Sequence, residues 1–512
     1  MLAETATEAA RRFGDRPALV AEAGWSLSYA DLDRLSDEVA AGLARRGVGE
    51  GDLVALVLPA VPEHTVCYVA AAKLGAVTAG VNARLAAPER EAVLSTAGPA
   101  VVVATGDLAP AGRPGTAEVV VCEPSEGPGD VLGGLRVPGA APPALPPDPD
   151  RPVAVVFTSG TTGSPKGAVY TSRQLAFITQ TDVGPNWGGG GRSLGGSAPA
   201  HLGPMTKLAG QLRRGNTTYL LAPWRAARAL RLVAEHRVAS VGGVPAQLAL
   251  MLEEPTFDRC DLRCVRAIVI GGGPATPALL RAARARFAAP VAVRYSCTEA
   301  GLGTGTALDD PPADAEESVG RPLPGVTVRV VGADGRPLPG GEVGEVVLSS
   351  PAVMAGYWRD EAATAAALAP GGGVRTGDLG WVDERGRLHL AGRTTERYVR
   401  GGDNVHPLEV EAVLADHPDL SAVAVVARAD PVMGEVGVAV VVPRPGREPP
   451  SLASLRGFAE GRLARHKLPE DVVAVPALPL TAMDKVDRRA LSSLVRGSDR
   501  RERPGGPRAA RN

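Results

Sequence analysis

The chain has 512 residues, of which 45% are hydrophobic and 22% charged, and its formal net charge is -1. This length predicts more than one domain, and the composition is typical of a soluble globular protein. The balanced charge gives no reason to expect nucleic acid or an anionic membrane as a partner. The sequence has neither a signal-peptide core nor an apolar run approaching about eighteen residues, and its five cysteines are scattered. It therefore predicts a cytoplasmic protein that does not enter a membrane.

The first segment alternates between strand and helix patterns. Ser28 and Asp31 form a capping-box pair that opens a helix with one apolar face, and Gly47 is placed to end it. The next elements are a strand at 53–58, a helix at 62–74 and a strand at 77–81. This alternation predicts a parallel sheet covered by helices on both faces. A segment rich in Pro, Gly and Ala, residues 124–152, predicts a loose connection.

The most informative loop follows an apolar run, Val153 to Phe157, that predicts a buried strand. The next ten residues, 158–167, are Thr, Ser, Gly, Pro and a single lysine, Lys166. Glycines let backbone amides face an anion, and hydroxyls and an ammonium add donors, so this loop suits a polyphosphate. A flexible surface linker is the alternative interpretation. The loop is not a P-loop, because Pro165 precedes the lysine and Gly167 follows it.

Lysine is rare in this chain, with five residues against fifty arginines, which is the 55 basic residues less five. Where arginine replaces lysine so generally, a retained lysine can mark a need for a compact ammonium. This bias draws attention to Lys166 and Lys485.

The middle of the chain continues the alternation. A helix is predicted from about 175 to 180, and glycine runs at 188–191 and 195–196 predict an irregular excursion. A strand at 265–270 leads into Gly271–Pro274, which is either a ligand-binding turn or only a tight turn. Short strands and turns from 319 to 348 predict a small β-barrel subdomain.

After Arg393 the pattern starts again as a compact α+β unit. Its predicted elements are a helix at 407–414, strands at 423–427 and 436–442, and a helix at 451–463. The fold class is therefore α/β, with a large N-terminal domain of doubly covered sheets and a smaller mobile C-terminal domain. The predicted divisions are 1–392 for the large N-terminal domain, 393–397 for a hinge, 398–495 for the mobile C-terminal domain and 496–512 for a disordered tail.

Six motifs occur in a fixed order between about Trp25 and Leu491. They are Phe157–Gly167, Tyr295-Ser-Cys-Thr-Glu299, Arg375-Thr-Gly-Asp-Leu379, Gly392-Arg393, Gly401–Glu411 and Asp484–Leu491. In this order they resemble the signature motifs of the adenylate-forming (AMP-binding) superfamily, which includes acyl-CoA synthetases, adenylation domains and luciferases. A single loop can arise by chance, whereas six ordered motifs hardly can.

The resemblance implies an ATP-dependent ligase that uses Mg²⁺ and CoA. It implies that Lys485 contacts the substrate carboxylate and α-phosphate, that Thr298 binds the α-phosphate and that Glu299 holds the metal. The phosphate grip is implied for Thr158, Ser159, Gly160, Thr161, Thr162 and Lys166. Adenine and ribose contacts are implied for Gly272, Gly273, Tyr295, Ser296, Asp378 and Arg393.

The acid and the acceptor are implied less specifically. His201, Gly271 and Gly301 fall in segments that wall the acid pocket, whose small residues favour an aryl or medium-chain acid. No Asp follows the His201 segment where amino-acid adenylation domains carry one. Gly401 and Gly402 would let a pantetheine arm pass. The expected partners are the acid and CoA, and the protein is expected to be a monomer or homodimer.

Three positions depart from the family pattern: Thr395 replaces the frequent hinge Asp, while Asp484 and Ser296 replace glycines. Asp484 is a carboxylate beside the presumed catalytic lysine, and it would either raise the pKa of Lys485 or hold its side chain away from ATP. The alternatives are transfer to a carrier protein, coupling to an amine or inorganic nitrogen nucleophile, and a nucleotide-binding homologue with little turnover.

Overall fold

The computed structural model describes residues 2–158, 165–196, 198–482 and 484–498. Its α-helices are Leu2–Phe13, Tyr29–Ala44, Pro62–Lys73, Ala87–Ala97, Ser172–Val183, Leu202–Arg214, Ala226–Glu235, Pro245–Glu253, Pro277–Phe287, Pro312–Glu317, Glu361–Ala367, Pro407–Leu414, Leu452–Ala459 and Arg488–Ser498. Short 3-10 helices lie at Gly133–Leu135, Phe257–Arg259 and Arg465–Lys467. Many helices begin at a proline, whose fixed φ suits a first turn.

The largest sheet carries the 158–167 loop. In spatial order its strands are Gly356–Tyr357, Lys166–Thr171, Pro152–Thr158, Val77–Gly80, Leu53–Val57, Val101–Ala104 and Glu118–Val121. The pairs from Pro152–Thr158 outward to Glu118–Val121 are parallel, and the first two pairs are antiparallel. The centre of this sheet is buried on both faces, which explains its continuous Val and Ala runs.

Two further sheets complete the α/β part. One has the order Ser26–Ser28, Pro17–Val20, Thr217–Leu220 and Arg192–Gly195. The other has the order Ser240–Gly243, Ala267–Gly271, Val291–Tyr295, Thr304–Gly305 and Arg321–Pro322. The glycine runs predicted irregular chain up to residue 196, and this prediction is wrong at Arg192–Gly195. That segment is a strand, because it pairs in parallel with the strand Thr217–Leu220.

The predicted β-subdomain is a four-stranded antiparallel sheet. Its strands are ordered Thr327–Val331, Gly344–Ser349, Val374–Val382 and Leu388–Arg393. The last two pair so that Asp378 lies directly opposite Arg393. This register places the motifs Arg375–Leu379 and Gly392-Arg393 side by side.

The C-terminal unit has its own sheet and its own apolar cores. The strands are Asp403–Val405, Tyr398–Arg400, Gly434–Pro443 and Leu420–Asp430, and Asp471–Ala474 pairs in parallel with Gly434–Pro443. Two buried clusters draw their members from residues 398–495. The helix predicted at 451–463 is shorter, because the backbone leaves the helix at Glu460 and Gly461 has φ +75°.

The elements near the N-terminus agree with the predicted pattern. Both hydrogen bonds of the Ser28–Asp31 capping box are present, and the helix they open buries Leu32, Leu35 and Val39. At the other end, the helix Arg488–Ser498 includes residues 496–498 of the predicted tail, and 499–512 lie outside the described residues. Among the described residues, none of the helices combines the length and apolarity needed to cross a bilayer.

Candidate active site

The residues predicted to contact adenine and ribose meet around one buried carboxylate, that of Asp378. Its Oδ2 accepts a hydrogen bond from the Tyr295 hydroxyl at 2.7 Å, and its Oδ1 accepts one from Arg393 Nε at 2.7 Å. Asp378 is only 7% exposed, so these are charge-assisted bonds shielded from water. We call these three residues the Asp378 cluster.

Electrostatics in the Asp378 cluster follow from this geometry. Burial, and then the Asp378 charge, raise the pKa of the Tyr295 phenol, so it remains a neutral donor. Burial alone would lower the pKa of Arg393, but the charge and hydrogen bond of Asp378 raise it overall. The cluster is therefore a fixed, charged surface in which Asp378 already has two partners.

The turn after the strand Val291–Tyr295 carries Thr298 and Glu299. Glu299 Oε1 accepts a hydrogen bond from the Tyr357 hydroxyl at 2.7 Å, and the Glu299 carbonyl accepts one from Met354 N at 2.9 Å. The Thr298 carbonyl accepts a hydrogen bond from the buried Tyr170. Both motif residues are thus held by neighbours that come from other elements.

Tyr357 also connects Glu299 with the end of the 158–167 loop. Lys166 Nζ lies 5.4 Å from the centroid of the Tyr357 ring, within range of a cation–π contact. Thr158 and Lys166 are opposite each other in the antiparallel pair that frames the loop. The predicted phosphate contacts Ser159, Gly160, Thr161 and Thr162 lie outside the described residues, whereas Thr158 and Lys166 lie at their two ends.

Lys485 lies in the segment between the strand Asp471–Ala474 and the helix Arg488–Ser498. We call residues 481, 482 and 484–487 the Lys485 loop. Burial, and then the positive charge of Arg393, lower the pKa of Lys485, while Asp378 and Glu299 act in the opposite direction. The ammonium therefore lies within electrostatic range of both the Asp378 cluster and Glu299. The net downward shift does not isolate the effect of Asp484, so the expectation that this carboxylate raises the pKa of Lys485 stays a prediction.

The Lys485 loop is docked onto the N-terminal domain. Asp484 Oδ1 lies 2.7 Å from Arg84 Nη2, and Asn82 Nδ2 donates to the Ala482 carbonyl at 3.2 Å. The same Asn82 nitrogen lies 3.3 Å from His201 Nε2. Asp484 has φ +56°, a left-handed conformation that glycine adopts most readily and that Asp tolerates better than most residues.

His201 stands at the start of the helix Leu202–Arg214, next to the predicted acid pocket. Burial, and then the positive charge of Lys485, lower its pKa to about 4. It is therefore neutral at physiological pH, and its Nε2 can accept the hydrogen bond from Asn82. Its position links the acid-binding side to the Lys485 loop.

The glycines predicted to bind ligands differ in their surroundings. At Gly271 a Cβ would lie 2.9 Å from the Arg294 carbonyl, and at Gly301 it would lie 2.6 Å from the Ala352 carbonyl. These two glycines are needed for close backbone packing, and their contact with substrate stays a prediction. Gly272, at φ +80°, and Gly273 meet side chains of Val244 and Pro245 only at 3.4 Å and 3.6 Å. Ser296 is half-buried, and its hydroxyl donates to the Cys297 carbonyl at 3.2 Å.

Gly401 and Gly402 form the exposed turn between strands Tyr398–Arg400 and Asp403–Val405. Their φ angles are +57° and +98°, which explains two consecutive glycines. The predicted hinge, residues 393–397, adjoins this hairpin, and Glu396 forms an ion pair with Arg488 at 3.0 Å. A role for the turn in binding pantetheine stays a prediction.

Sequence reasoning missed four residues that shape this site: Tyr357, Tyr170, Arg84 and Asn82. They lie outside the six motifs and approach the site only through folding. Tyr357 had one available signal, since a Gly-Tyr-Trp run between predicted turns is unusual in a chain with 4% aromatic residues.

Comparison with known proteins gives a consistent result. The chain matches the AMP-binding enzyme family over residues 6–358 and the AMP-binding enzyme C-terminal domain over residues 409–485. It is 35% identical to an indoleacetate–CoA ligase of Aromatoleum aromaticum, over 92% of this chain and 93% of that protein. It is 32% identical to the fatty acid–[acyl-carrier-protein] ligase ScoC of Streptomyces coeruleorubidus, over 98% of both chains.

A solved structure agrees with these matches. The crystal structure of ATP-bound MatB from Rhodopseudomonas palustris superposes with a TM-score of 0.86 at 28% identity, covering 96% of this chain and 99% of that one. Both the motifs and the presence of Lys485 within electrostatic range of the Asp378 cluster fit an enzyme that joins an acid to AMP. The chain belongs to the AMP-binding enzyme family, the adenylate-forming superfamily of acid ligases.

Proposed function

We propose that this protein is an AMP-forming acid–CoA ligase acting on an aryl or medium-chain carboxylic acid. The observation that carries the proposal is the Lys485 loop, docked so that its ammonium is in electrostatic range of Glu299 and the Asp378 cluster. A carboxylate and a triphosphate repel each other, so a cation between the acid and the α-phosphate has most effect where charge develops.

In the first half-reaction, a carboxylate oxygen of the acid attacks the α-phosphorus of ATP. The bond from the α-phosphorus to the bridging oxygen breaks, and pyrophosphate leaves with the electron pair. Lys485 stabilises the charge on the acid and α-phosphate, while Thr158 and Lys166 border the leaving pyrophosphate. Asp378 accepts hydrogen bonds from the ribose hydroxyls, sharing or exchanging the partners it has in the cluster.

The donor set fits Mg²⁺ bound together with substrate. Among the described residues, no group of three or more His, Cys, Asp or Glu side chains is arranged to hold a metal. Glu299 with phosphate oxygens matches the usual coordination of Mg²⁺ by one or two carboxylates and substrate. When bound, the ion neutralises phosphate charge. The Tyr357 hydroxyl orients the Glu299 carboxylate toward this task.

In the second half-reaction, the thiol of CoA attacks the acyl carbon, the bond to the phosphate oxygen breaks and AMP leaves, while the thiol proton passes to solvent. The relative that acts on indoleacetate and CoA supports free CoA as acceptor. The relative that acts with an acyl carrier protein supports a carrier-bound pantetheine as the second candidate.

The test is pyrophosphate release from ATP with benzoate, phenylacetate, indoleacetate and octanoate, each with and without CoA. Release without CoA and an acyl-CoA product with CoA supports the proposal. Release followed by transfer only to a carrier protein supports the second candidate, and a product formed only with an amine or hydrazine excludes both. No release with any of these acids contradicts the proposed acid class.

A further inference from the structure

The ion pair between Arg84 and Asp484 connects the Lys485 loop with the N-terminal domain, which otherwise supplies the proposed nucleotide-binding residues. Arg84 follows the strand Val77–Gly80, while Asp484 directly precedes Lys485. Their side chains are 53% and 20% exposed, and the N–O distance is 2.7 Å. Arg84 N also donates to Asn82 Oδ1 at 3.0 Å, which ties it to the residue that holds Ala482.

Asp484 creates a problem that this pairing solves. A carboxylate next to Lys485 competes with the substrate carboxylate and phosphate for the same ammonium. In the structure the Asp484 carboxylate instead points to Arg84, and its charge acts on His201. A guanidinium can hold a carboxylate in a fixed direction through its planar donors.

We propose that Arg84 is a positioning residue for acyl-adenylate formation: it holds the Asp484 carboxylate away from Lys485 and fixes the Lys485 loop against Asn82. The inference rests on the proposed role of Lys485 and adds to it a residue outside the six motifs. Arg84 acts through Asp484 and does not itself contact the reacting atoms.

The pair is partly exposed, so its own contribution is modest. Exposed pairs of this kind change an equilibrium by about two- to five-fold. Charge reversal by Arg84→Glu removes the attraction, adds repulsion of similar size and leaves the Asp484 carboxylate without its guanidinium. We expect Arg84→Glu to slow acyl-adenylate formation by about ten-fold. Transfer from a preformed acyl adenylate to CoA does not use the Lys485 charge and should change less than about two-fold.

The discriminating experiment adds Asp484→Asn to Arg84→Glu. Asn keeps the left-handed backbone of position 484 but removes the competing charge. The double variant should regain most of the lost rate of acyl-adenylate formation while thioester formation stays unchanged throughout, a selective rescue that a merely structural role for Arg84 would not produce. The matched control is Arg281→Glu, which breaks another bridge between the domains, from Arg281 to Asp416 at 2.8 Å, away from Lys485.

The assay is pyrophosphate exchange with ATP and the panel acid that releases most pyrophosphate, beside thioester formation from its synthetic acyl adenylate. Equal losses in both half-reactions, no loss in the first, no recovery in the double variant, or an equal loss in Arg281→Glu would overturn the inference. Lys485→Ala separates the two proposals. If it forms adenylate at the wild-type rate, the role of Lys485 is wrong; if it is inactive while Arg84→Glu is fully active, only the role of Arg84 is wrong.

Discussion

The two ends of the active site are built differently. The Asp378 cluster joins three side chains from two sheets around one carboxylate that is almost inaccessible to water. The Lys485 loop contacts the N-terminal domain through a partly exposed ion pair and a side-chain hydrogen bond to its backbone. Hydrogen bonds to charged groups contribute about 1.5–3 kcal/mol each, whereas exposed ion pairs contribute about 0–1 kcal/mol.

In the proposed reaction, this difference separates nucleotide binding from catalysis. The Asp378 cluster stays in place because breaking it would leave a buried charge unpaired. The Lys485 loop can leave its contacts with the N-terminal domain at small cost, which suits the proposed reaction, whose second step brings a thiol to the place where the first uses an ammonium. The first expectation is that the two regions fail differently when they are mutated.

The largest effect is expected for Lys485→Ala. Removing the ammonium should slow acyl-adenylate formation by about 10³-fold, comparable to the loss of a key transition-state donor. Transfer of a preformed acyl adenylate to CoA should be retained. The measurements are pyrophosphate exchange and thioester formation, and Lys467→Ala, which removes a lysine paired with Glu409 in the same domain, is the control. Equal loss in both half-reactions would show that Lys485 belongs with the Asp378 cluster, the fixed region of the site, and does not act in the first step alone.

The substitution Asp378→Asn tests the Asp378 cluster, which is the fixed region of the site. The substitution replaces a charged acceptor of two hydrogen bonds, so we expect kcat/KM for ATP to fall by about 100-fold. Because the Arg393 charge then loses its partner, the melting temperature should also fall. The exposed Asp309 provides a matched control as Asp309→Asn. If the KM for ATP and the melting temperature are both unchanged, the Asp378 cluster is not the fixed region of the site.

A smaller effect is expected for Tyr357→Phe. This change removes the hydroxyl that donates to Glu299 but keeps the ring beside Lys166. We expect a rise of about ten-fold in the Mg²⁺ concentration needed for half-maximal adenylate formation, which is the lower end of what one hydrogen bond to a charged group contributes. In Tyr398→Phe the hydroxyl removed has no hydrogen-bond partner among the described residues, so this control should behave as wild type.

The local patterns of the sequence were sufficient to predict several elements of the fold. The strand before the 158–167 loop, the Ser28–Asp31 cap and the helix Pro407–Leu414 all depend on short-range rules, and the structure confirms them. The resemblance implied that Tyr295, Asp378 and Arg393 serve one nucleotide site, and the structure joins these three side chains by hydrogen bonds to Asp378. The domain limits and the ligand contacts of these residues stay predictions.

The docking of the Lys485 loop was not predictable from local pattern. Arg84 and Asp484 are four hundred positions apart, and neither lies in an apolar pattern that fixes its neighbours. The rarity of lysine was more useful. Lys73, Lys207 and Lys467 form ion pairs with carboxylates, whereas in the described part of the chain no such pair is recorded for Lys166 or Lys485. The two lysines without carboxylate partners there are those that the sequence assigns to phosphate and substrate.

The smallest effect concerns pH and tests how the two regions are coupled. Burial, and then Arg393, lower the pKa of Lys485 below the ordinary 10.5. Because adenylate formation needs the protonated ammonium, its rate should fall as pH rises through that lowered pKa, earlier than for a free lysine. Arg393→Gln removes one of the two causes, so the alkaline limb should move upward by less than about one pH unit.

The control for this limb is Lys485→Arg, because a guanidinium remains charged across the same range. The measurement is kcat/KM for adenylate formation against pH, in wild type and in both variants. The alkaline limb should be missing from the residual activity of Lys485→Arg. His201 does not contribute to the alkaline limb, since its pKa of about 4 keeps it neutral wherever the lysine titrates. If the alkaline limb persists in Lys485→Arg, it belongs to another titrating group. The charges of the Asp378 cluster would then not set the pKa that limits adenylate formation.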